Sequence, residues 1–193
     1  DGTLLSVKYD GTEHKTVAKI DSKYTFDKAY MIGDEIIIYS FYSEHGRGEI
    51  VEKACFIKYN IITNEWKQTN TFNRNLTGDS LIGITKDETA IFYHDDEIPE
   101  IPKGTSINEA IQISRNTKCK LYSMNINTSE KTIIYEGEIG DCSPVTMLNG
   151  EIYFHSQNEE CLRTMDFKTG KITTLYKNLS GEVFFESSLG EHL

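Results

Sequence analysis

The sequence predicts an all-β protein built from a repeated four-stranded antiparallel unit. Three observations lead there. Eleven Tyr and nine Phe, interspersed with Ile, Thr and Val, favour strands. Asn, Asp and Gly recur at the spacing of tight turns, and the chain has only three Pro. Short hairpin patterns also repeat along the chain.

The pattern is plainest at Met147–His155 followed by Cys161–Tyr176. It gives a strand, a turn at Asn149-Gly150, a strand, a loop, a strand, a turn at Thr169-Gly170 and a fourth strand. One hairpin type starts at Leu4, Phe56, Leu121 and Leu162, with second strands at Thr16–Ile20, Trp66–Phe72, Thr132–Tyr135 and Ile172–Tyr176. A second type is centred on Gly33-Asp34-Glu35, Lys86-Asp87-Glu88, Asn149-Gly150-Glu151 and Leu189-Gly190-Glu191. The strands Ile37–Ser40, Ile91–His94 and Ile152–His155 are apolar at successive positions, which predicts cover on both faces.

With the strands of a unit lettered a to d, the chain reads cd, abcd, abcd, abcd, a. The Glu35, Glu88, Glu151 and Glu191 anchors fall 53, 63 and 40 residues apart. A four-stranded unit at a period near 40 is the blade of a β-propeller. The expectation is one domain with units at 1–20 (partial), 28–73, 79–137, 142–177 and 182–193 (partial). An open arc is favoured, and a closed four-bladed ring is the alternative. The ring requires Leu4–Tyr9 to pair with Val183–Ser187, and only Glu191–Leu193 remain for the missing strand. The chain opens at Asp1 rather than Met, so the expectation is a processed or partial chain.

Two stretches exceed the period. Ser43–Lys53 widens one b–c connection and Asp95–Lys118 the next, and propeller topology puts both on one face. Within the second, Ser106-Ile107-Asn108-Glu109 is a capping box, predicting a helix over Ile107–Ser114. Loops longer than the fold requires are where function concentrates.

Ile152-Tyr153-Phe154-His155 and Leu121-Tyr-Ser-Met-Asn-Ile-Asn-Thr-Ser-Glu130 resemble the repeats of bacterial YWTD-like propellers of the DUF5050 type. The sequence departs from that pattern at Asp95–Lys118 and lacks the Tyr-Trp-Thr-Asp tetrapeptide itself. The resemblance implies a binding or scaffold module. A Lys-, Ile- and Asn-rich composition is that of a low-GC Gram-positive bacterium, and the expected location is extracytoplasmic.

A formal net charge of -10, with no cluster of Lys and Arg, disfavours nucleic acid and anionic lipid as partners. No apolar run is long enough to insert in a membrane. The expected partner is a protein or a glycan, with self-association through open blade edges as a further route. The residues expected to bind it are His45, Arg47, His94, Asp95, Asp96, Glu97, Glu100 and His155. No cofactor is expected, except that a His beside the carboxylates of 95–100 is a donor set suited to Ca²⁺. Against that stands a solvated acidic loop with structurally satisfied histidines.

Catalytic motifs are absent. Gly78-Asp-Ser-Leu-Ile-Gly83 fails the nucleophile-elbow spacing and reads as the entry to a strand. Asp79, Asp141 and Cys142, in the d–a connections, are the candidates if the chain is instead a hydrolase or lyase working at a central cavity. A sensory or structural domain of a larger surface protein is the remaining reading. The triplets at Asn75, Asn127 and Asn178 match glycosylation acceptors but arise readily by chance in an Asn-rich chain, and Tyr93 and Tyr122 serve sugar stacking and core packing equally. None of Cys55, Cys119, Cys142 and Cys161 forms a Cys-x-x-Cys pair. Cys55 and Cys161 occupy equivalent, buried strand positions, while a Cys119–Cys142 disulfide has even parity as its only support.

Overall fold

The computed structural model describes residues 3–6, 8, 10–45, 50–74, 79–143 and 145–179. Strands β1 (Thr3–Ser6) and β2 (Lys15–Lys19) form a two-stranded sheet. Strands β3 (Thr25–Ile32), β4 (Glu35–His45), β5 (Ile50–Asn60) and β6 (Glu65–Gln68) form an antiparallel meander, with the short β7 (Phe72–Asn73) also paired to β5. Next come β8 (Asp79–Ile84), β9 (Thr89–Asp95), helix α1 (Ile107–Arg115), β10 (Lys118–Asn125) and β11 (Lys131–Glu138). A 3-10 turn at Ile139–Asp141 leads into β12 (Val145–Leu148), β13 (Glu151–Ser156), β14 (Cys161–Met165) and β15 (Ile172–Lys177). Strands β8 to β11 and β12 to β15 are two further four-stranded meanders in chain order. The described residues are all-β apart from α1 and the 3-10 turn, and the four-stranded antiparallel meander is the blade unit of a β-propeller.

The turns explain the repeat. Asn60 and Asn125 end the third strand of their meanders, and Asp166 directly follows that of the third. In each, the side-chain Oδ1 accepts from the backbone N–H two and three residues on. The backbone carbonyl of the same residue accepts from the N–H four residues on, at Asn64, Ser129 and Gly170. Those three residues have φ of 58°, 62° and 67°. An Asx side chain therefore starts each turn, and a residue tolerating the left-handed region ends it. The hairpins between the first two strands are tighter. Asn149 and Gly150, with φ of 52° and 81°, close a two-residue loop between Leu148 and Glu151, the geometry of a type I′ turn.

Two expectations need correction. Ser43–Lys53 is largely not a loop. Strands β4 and β5 continue through it in unbroken register to the pair His45↔Ile50, so the insert is a two-stranded ribbon over its described residues; 46–49 lie outside them. The strand expected over Trp66–Phe72 is interrupted. The Thr69 N–H donates to the Phe56 carbonyl and the Thr69 Oγ1 accepts the Phe56 N–H, ending the β6 pairing before β7 resumes it against Lys53 and Ala54. The ring-closing pairing lies outside the described residues, since it needs 180–193; β1 pairs only with β2 among those described.

The backbone divides into two units, residues 1–76 with 125–130 and residues 77–124 with 131–193. In the first, Ile20, Tyr24, Ile38, Cys55 and Ile57 form a buried cluster joined by Leu4 and Phe26. On the other face of the same sheet Tyr39, Phe56 and Phe72 pack their rings together. In the second, Ile91, Tyr93, Cys119 and Leu121 from one meander pack against Ile152, Phe154 and Met165 from the other. The two meanders approach most closely where β8 meets β12. There Gly83 leaves room for Met147: a Cβ at Gly83 would lie 2.5 Å from the Met147 Cε and 3.0 Å from its Cβ.

That contact is testable. Gly83→Ala will destabilise the fold by about 1–3 kcal/mol through overpacking, measured by urea unfolding. Trimming the neighbour in Gly83→Ala/Met147→Ala will make the two losses less than additive. Strict additivity would mean the two residues do not share the space.

Candidate functional site

In the second unit, β9 runs past the apolar core and emerges at its C-terminal end as Tyr93-His94-Asp95-Asp96. Strand alternation sends Tyr93 and Asp95 to the face shared with the next meander, and His94 to the other face. His94 lies opposite Asp79 in the ladder, and its Nδ1 is 2.8 Å from the Asp79 Oδ1. Its Nε2 lies 3.5 Å from the Asp96 Oδ1. The ring is thus held between two carboxylates, one on β8 and one just after β9.

On the inner face, the Tyr93 hydroxyl and the Asp95 Oδ1 are buried without a well-formed hydrogen bond. Burial first, then the neighbouring Asp95 carboxylate, pushes the Tyr93 phenol far above its ordinary range. Beside them sit Cys119 on β10 and Cys142 just after the 3-10 turn, both fully buried and both unbridged. The neighbouring Cys142 thiol favours the Cys119 thiolate, while Cys119 and then burial push Cys142 strongly upward. Burial also raises Tyr135 to about 12. On the opposite face of β10 and β11, where strand alternation sends Lys118, Lys120 and Glu136, a cleft of about 380 Å³ is lined by Asp96, Lys118, Cys119, Lys120, Glu136 and Gly137. Lys118 pairs with Glu138 at 2.7 Å and Lys120 with Glu136 at 3.8 Å. Opposite Cys119 in the ladder is Gly137, which presents no side chain.

The capping box places the insert helix as expected. The Ser106 Oγ accepts the Glu109 N–H, and the Glu109 carboxylate accepts the Ser106 N–H at 3.0 Å. At its C-terminal end α1 is tied down: the Arg115 Nε donates to the Gln157 Oε1 at 3.1 Å and the Thr117 Oγ1 donates to the Ile113 carbonyl. Ala110, Ile113 and Ser114 are half-buried, yet no residue of the helix is fully buried. Its outer side exposes Ile107 (80%) and Ile111 (43%), and the preceding loop exposes Ile98 (46%) and Ile101 (42%).

Of the residues expected to bind a partner, the structure brings His94, Asp95 and Asp96 together. Glu97 and Glu100 are exposed on the connection that follows. His45 is exposed at the end of the β4–β5 ribbon in the other unit, and Arg47 lies outside the described residues. His155 is buried at 1% exposure, and neither ring nitrogen has a hydrogen-bond partner among the described residues. Among the described residues no three His, Cys, Asp or Glu side chains are grouped to hold a metal ion. No helix among them is long and apolar enough to cross a membrane. The cleft residues Lys118, Lys120 and Glu136 were missed. Their alternation on facing strands was readable, but it is also the ordinary pattern of a solvated strand face.

No protein-family model matches the sequence, and no curated protein matches it. Among solved structures the chain is similar to the β-propeller domain of the Trilobed protease from Pyrococcus furiosus, which has an open velcro topology, at 7% identity and a TM-score of 0.44 over 86% of this chain and 47% of that one. It is also similar to an oligogalacturonate lyase in complex with manganese (11% identity, TM-score 0.40, 94% of this chain and 61% of that one). A second oligogalacturonate lyase, from Vibrio parahaemolyticus, gives 13% identity and a TM-score of 0.39 over 93% and 61%. The chain spans between about half and three fifths of the length of these structures.

The buried phenols and thiols set a pH dependence. Tyr135 and Tyr93, like Cys55 at about 11 in the other unit, bind their protons more tightly folded than unfolded. Their contribution to stability is complete below the unfolded values of about 8.5 for Cys and about 10 for Tyr, and is lost as pH rises through the folded values. The thermal midpoint will therefore fall progressively above about pH 9. A midpoint rising between about pH 9 and 11 would contradict these environments.

Proposed function

We propose that this chain is a non-catalytic binding module that captures a protein partner through the insert after β9. The observation that supports this reading is the concentration of exposed Ile98, Ile101, Ile107 and Ile111 on that one connection. A helix that is held at its C-terminal end but turns an apolar side to solvent leaves apolar surface available for an interface. Asp96, Glu97, Glu100 and Glu109 lie on the same connection, so the matching surface combines apolar side chains with Lys or Arg at its rim. A glycan is the less favoured ligand, because aliphatic Ile offers no flat aromatic platform. The module works outside the cytoplasm, binds without a cofactor, and belongs to the YWTD-like, DUF5050-type propellers of bacteria. Self-association through blade edges is a secondary mode of assembly.

A second reading, a hydrolase or lyase, is favoured by the Asp79–His94 pair. A carboxylate that orients a histidine is the arrangement of a general base. Among the described residues the hydrogen bonds of His94 and Asp79 bring no nucleophile to the pair, and for that reason this reading ranks below binding.

Ile107→Glu/Ile111→Glu will leave the thermal midpoint within about 2 °C of wild type, since both side chains are exposed. The same variant will lose the partner that wild-type protein retains in a cross-linking pull-down from surface extracts of the source cells. Retention of the same partner by the double variant would refute the reading. Turnover in a glycoside and ester screen, abolished by His94→Ala, would replace it with the second. Addition of Ca²⁺ or of a chelator will not move the midpoint; a Ca²⁺-dependent rise would place a cation among the 95–100 carboxylates.

A further inference from the structure

We propose that Tyr24 and Tyr42 form a two-walled cage for a quaternary ammonium ion, and that its ligand is a free choline-type cation. The chain's own Lys23 ammonium occupies the place that ligand would take. The cage lies in the first unit, so this inference is independent of the partner-binding reading above.

The sheet holds both walls in place. The Tyr24 and Tyr42 ring centroids lie 5.4 Å apart with their planes at 89°, an edge-to-face corner. Tyr24 is buried in the cluster of Ile20, Ile38, Cys55 and Ile57, and its hydroxyl donates to the Gln68 Oε1 on β6. Tyr42 on β4 packs against the same cluster, and its hydroxyl donates to the Glu44 Oε1 at 3.3 Å. Core packing therefore sets the ring orientations, and a ligand has little left to order. The turn before β3 supplies the lysine. There the Asp21 Oδ1 accepts the Lys23 N–H at 3.1 Å, and the Asp21 carbonyl accepts the Tyr24 N–H at 3.3 Å.

The Lys23 Nζ stands over both rings, 4.8 Å from the Tyr24 centroid and 5.0 Å from that of Tyr42. Both distances fall within the ~6 Å at which a ring face attracts a cation. The corner thus already selects positive charge. Lys23 itself is exposed and easily displaced. Its ammonium is compact and strongly hydrated, and it gives up hydration to sit on a ring. A trimethylammonium group spreads its charge over methyl groups that have no hydrogen bonds to water to lose, so it suits two ring faces better. Glu44, at the Tyr42 hydroxyl, and Asp21, in the turn that carries Lys23, add negative charge beside the corner. That charge favours a free cation over one carried on a phosphodiester. Lys53, opposite Tyr42 in the ladder, has its ammonium engaged by the Asn73 Oδ1 at 2.7 Å.

The experiment titrates choline into the full chain and follows the Tyr24 and Tyr42 ring protons by NMR. Both rings will shift together and saturate. Lys23→Ala, a change at an exposed position, will bind choline roughly 2–5-fold more tightly, because a cation–π competitor has been removed. Tyr42→Phe will keep the affinity, since the ring face and not the hydroxyl meets the cation, whereas Tyr42→Ala will lose at least about tenfold. The uncharged tert-butyl analogue of choline will not bind, and glycerophosphocholine will bind more weakly than choline. Absence of a saturable shift in both wild type and Lys23→Ala would overturn the proposal. So would equal affinity for the uncharged analogue, a tighter glycerophosphocholine complex, no gain in affinity from Lys23→Ala, or undiminished binding by folded Tyr42→Ala. The wild-type and Lys23→Ala titrations decide the matter even if a tyrosine variant fails to fold.

Discussion

The second unit depends on one constraint: its central strands are apolar on both faces, so neither meander can stand alone in water. Ala90, Ile91 and Phe92 in β9 and Ile152 and Phe154 in β13 are completely buried. Burying one such side chain is worth about 1.5–3 kcal/mol, and roughly half of that benefit exists only while a neighbouring sheet covers the face. The shared cluster of Ile91, Leu121, Cys119, Ile152, Phe154 and Met165 is that cover. Gly83 matters for the same reason, since it is where the covering sheet comes closest.

The polar cluster follows from where that cover ends. Strand β9 is longer than the core beneath it requires, so its last residues carry ionisable groups to the rim. On the inner face, Tyr93 and Asp95 bring polar atoms into burial beside one another. On the outer face, Asp79 and Asp96 fix His94. The connection that follows turns outward through α1 and shows isoleucines to solvent. The unusual chemistry and the unusual surface therefore sit at the two ends of one insertion, flanked by β9 and β10.

Much of this was legible because it is local. Asn60, Asn125 and Asp166 announce the same turn three times, and each turn closes by the same hydrogen bonds. The capping box at Ser106 gave the helix start, because that motif is complete within four residues. What escaped was set by long-range partners. Ser43, Glu44, Val51 and Lys53 read as a polar loop because the ribbon they form has no buried stripe to reveal it. The break at Thr69 depends on its bonds to Phe56, thirteen residues away. The juxtaposition of Cys119 and Cys142 comes from a turn and a strand that share no sequence pattern. His155 was singled out as a partner-binding residue, but it is fully buried, as the two-sided cover expected of Ile152–His155 implies.

The most direct test of this account is native-state hydrogen exchange on Phe154→Ala. If a shared face holds the two meanders, removing Phe154 from β13 will lower the opening free energy of the Ile91 and Leu121 amides in the neighbouring meander by the same amount, about 3–5 kcal/mol, as those of β13 itself. Unchanged protection in β9 and β10 alongside a loss confined to β12–β15 would show that the meanders stand independently, and would contradict it.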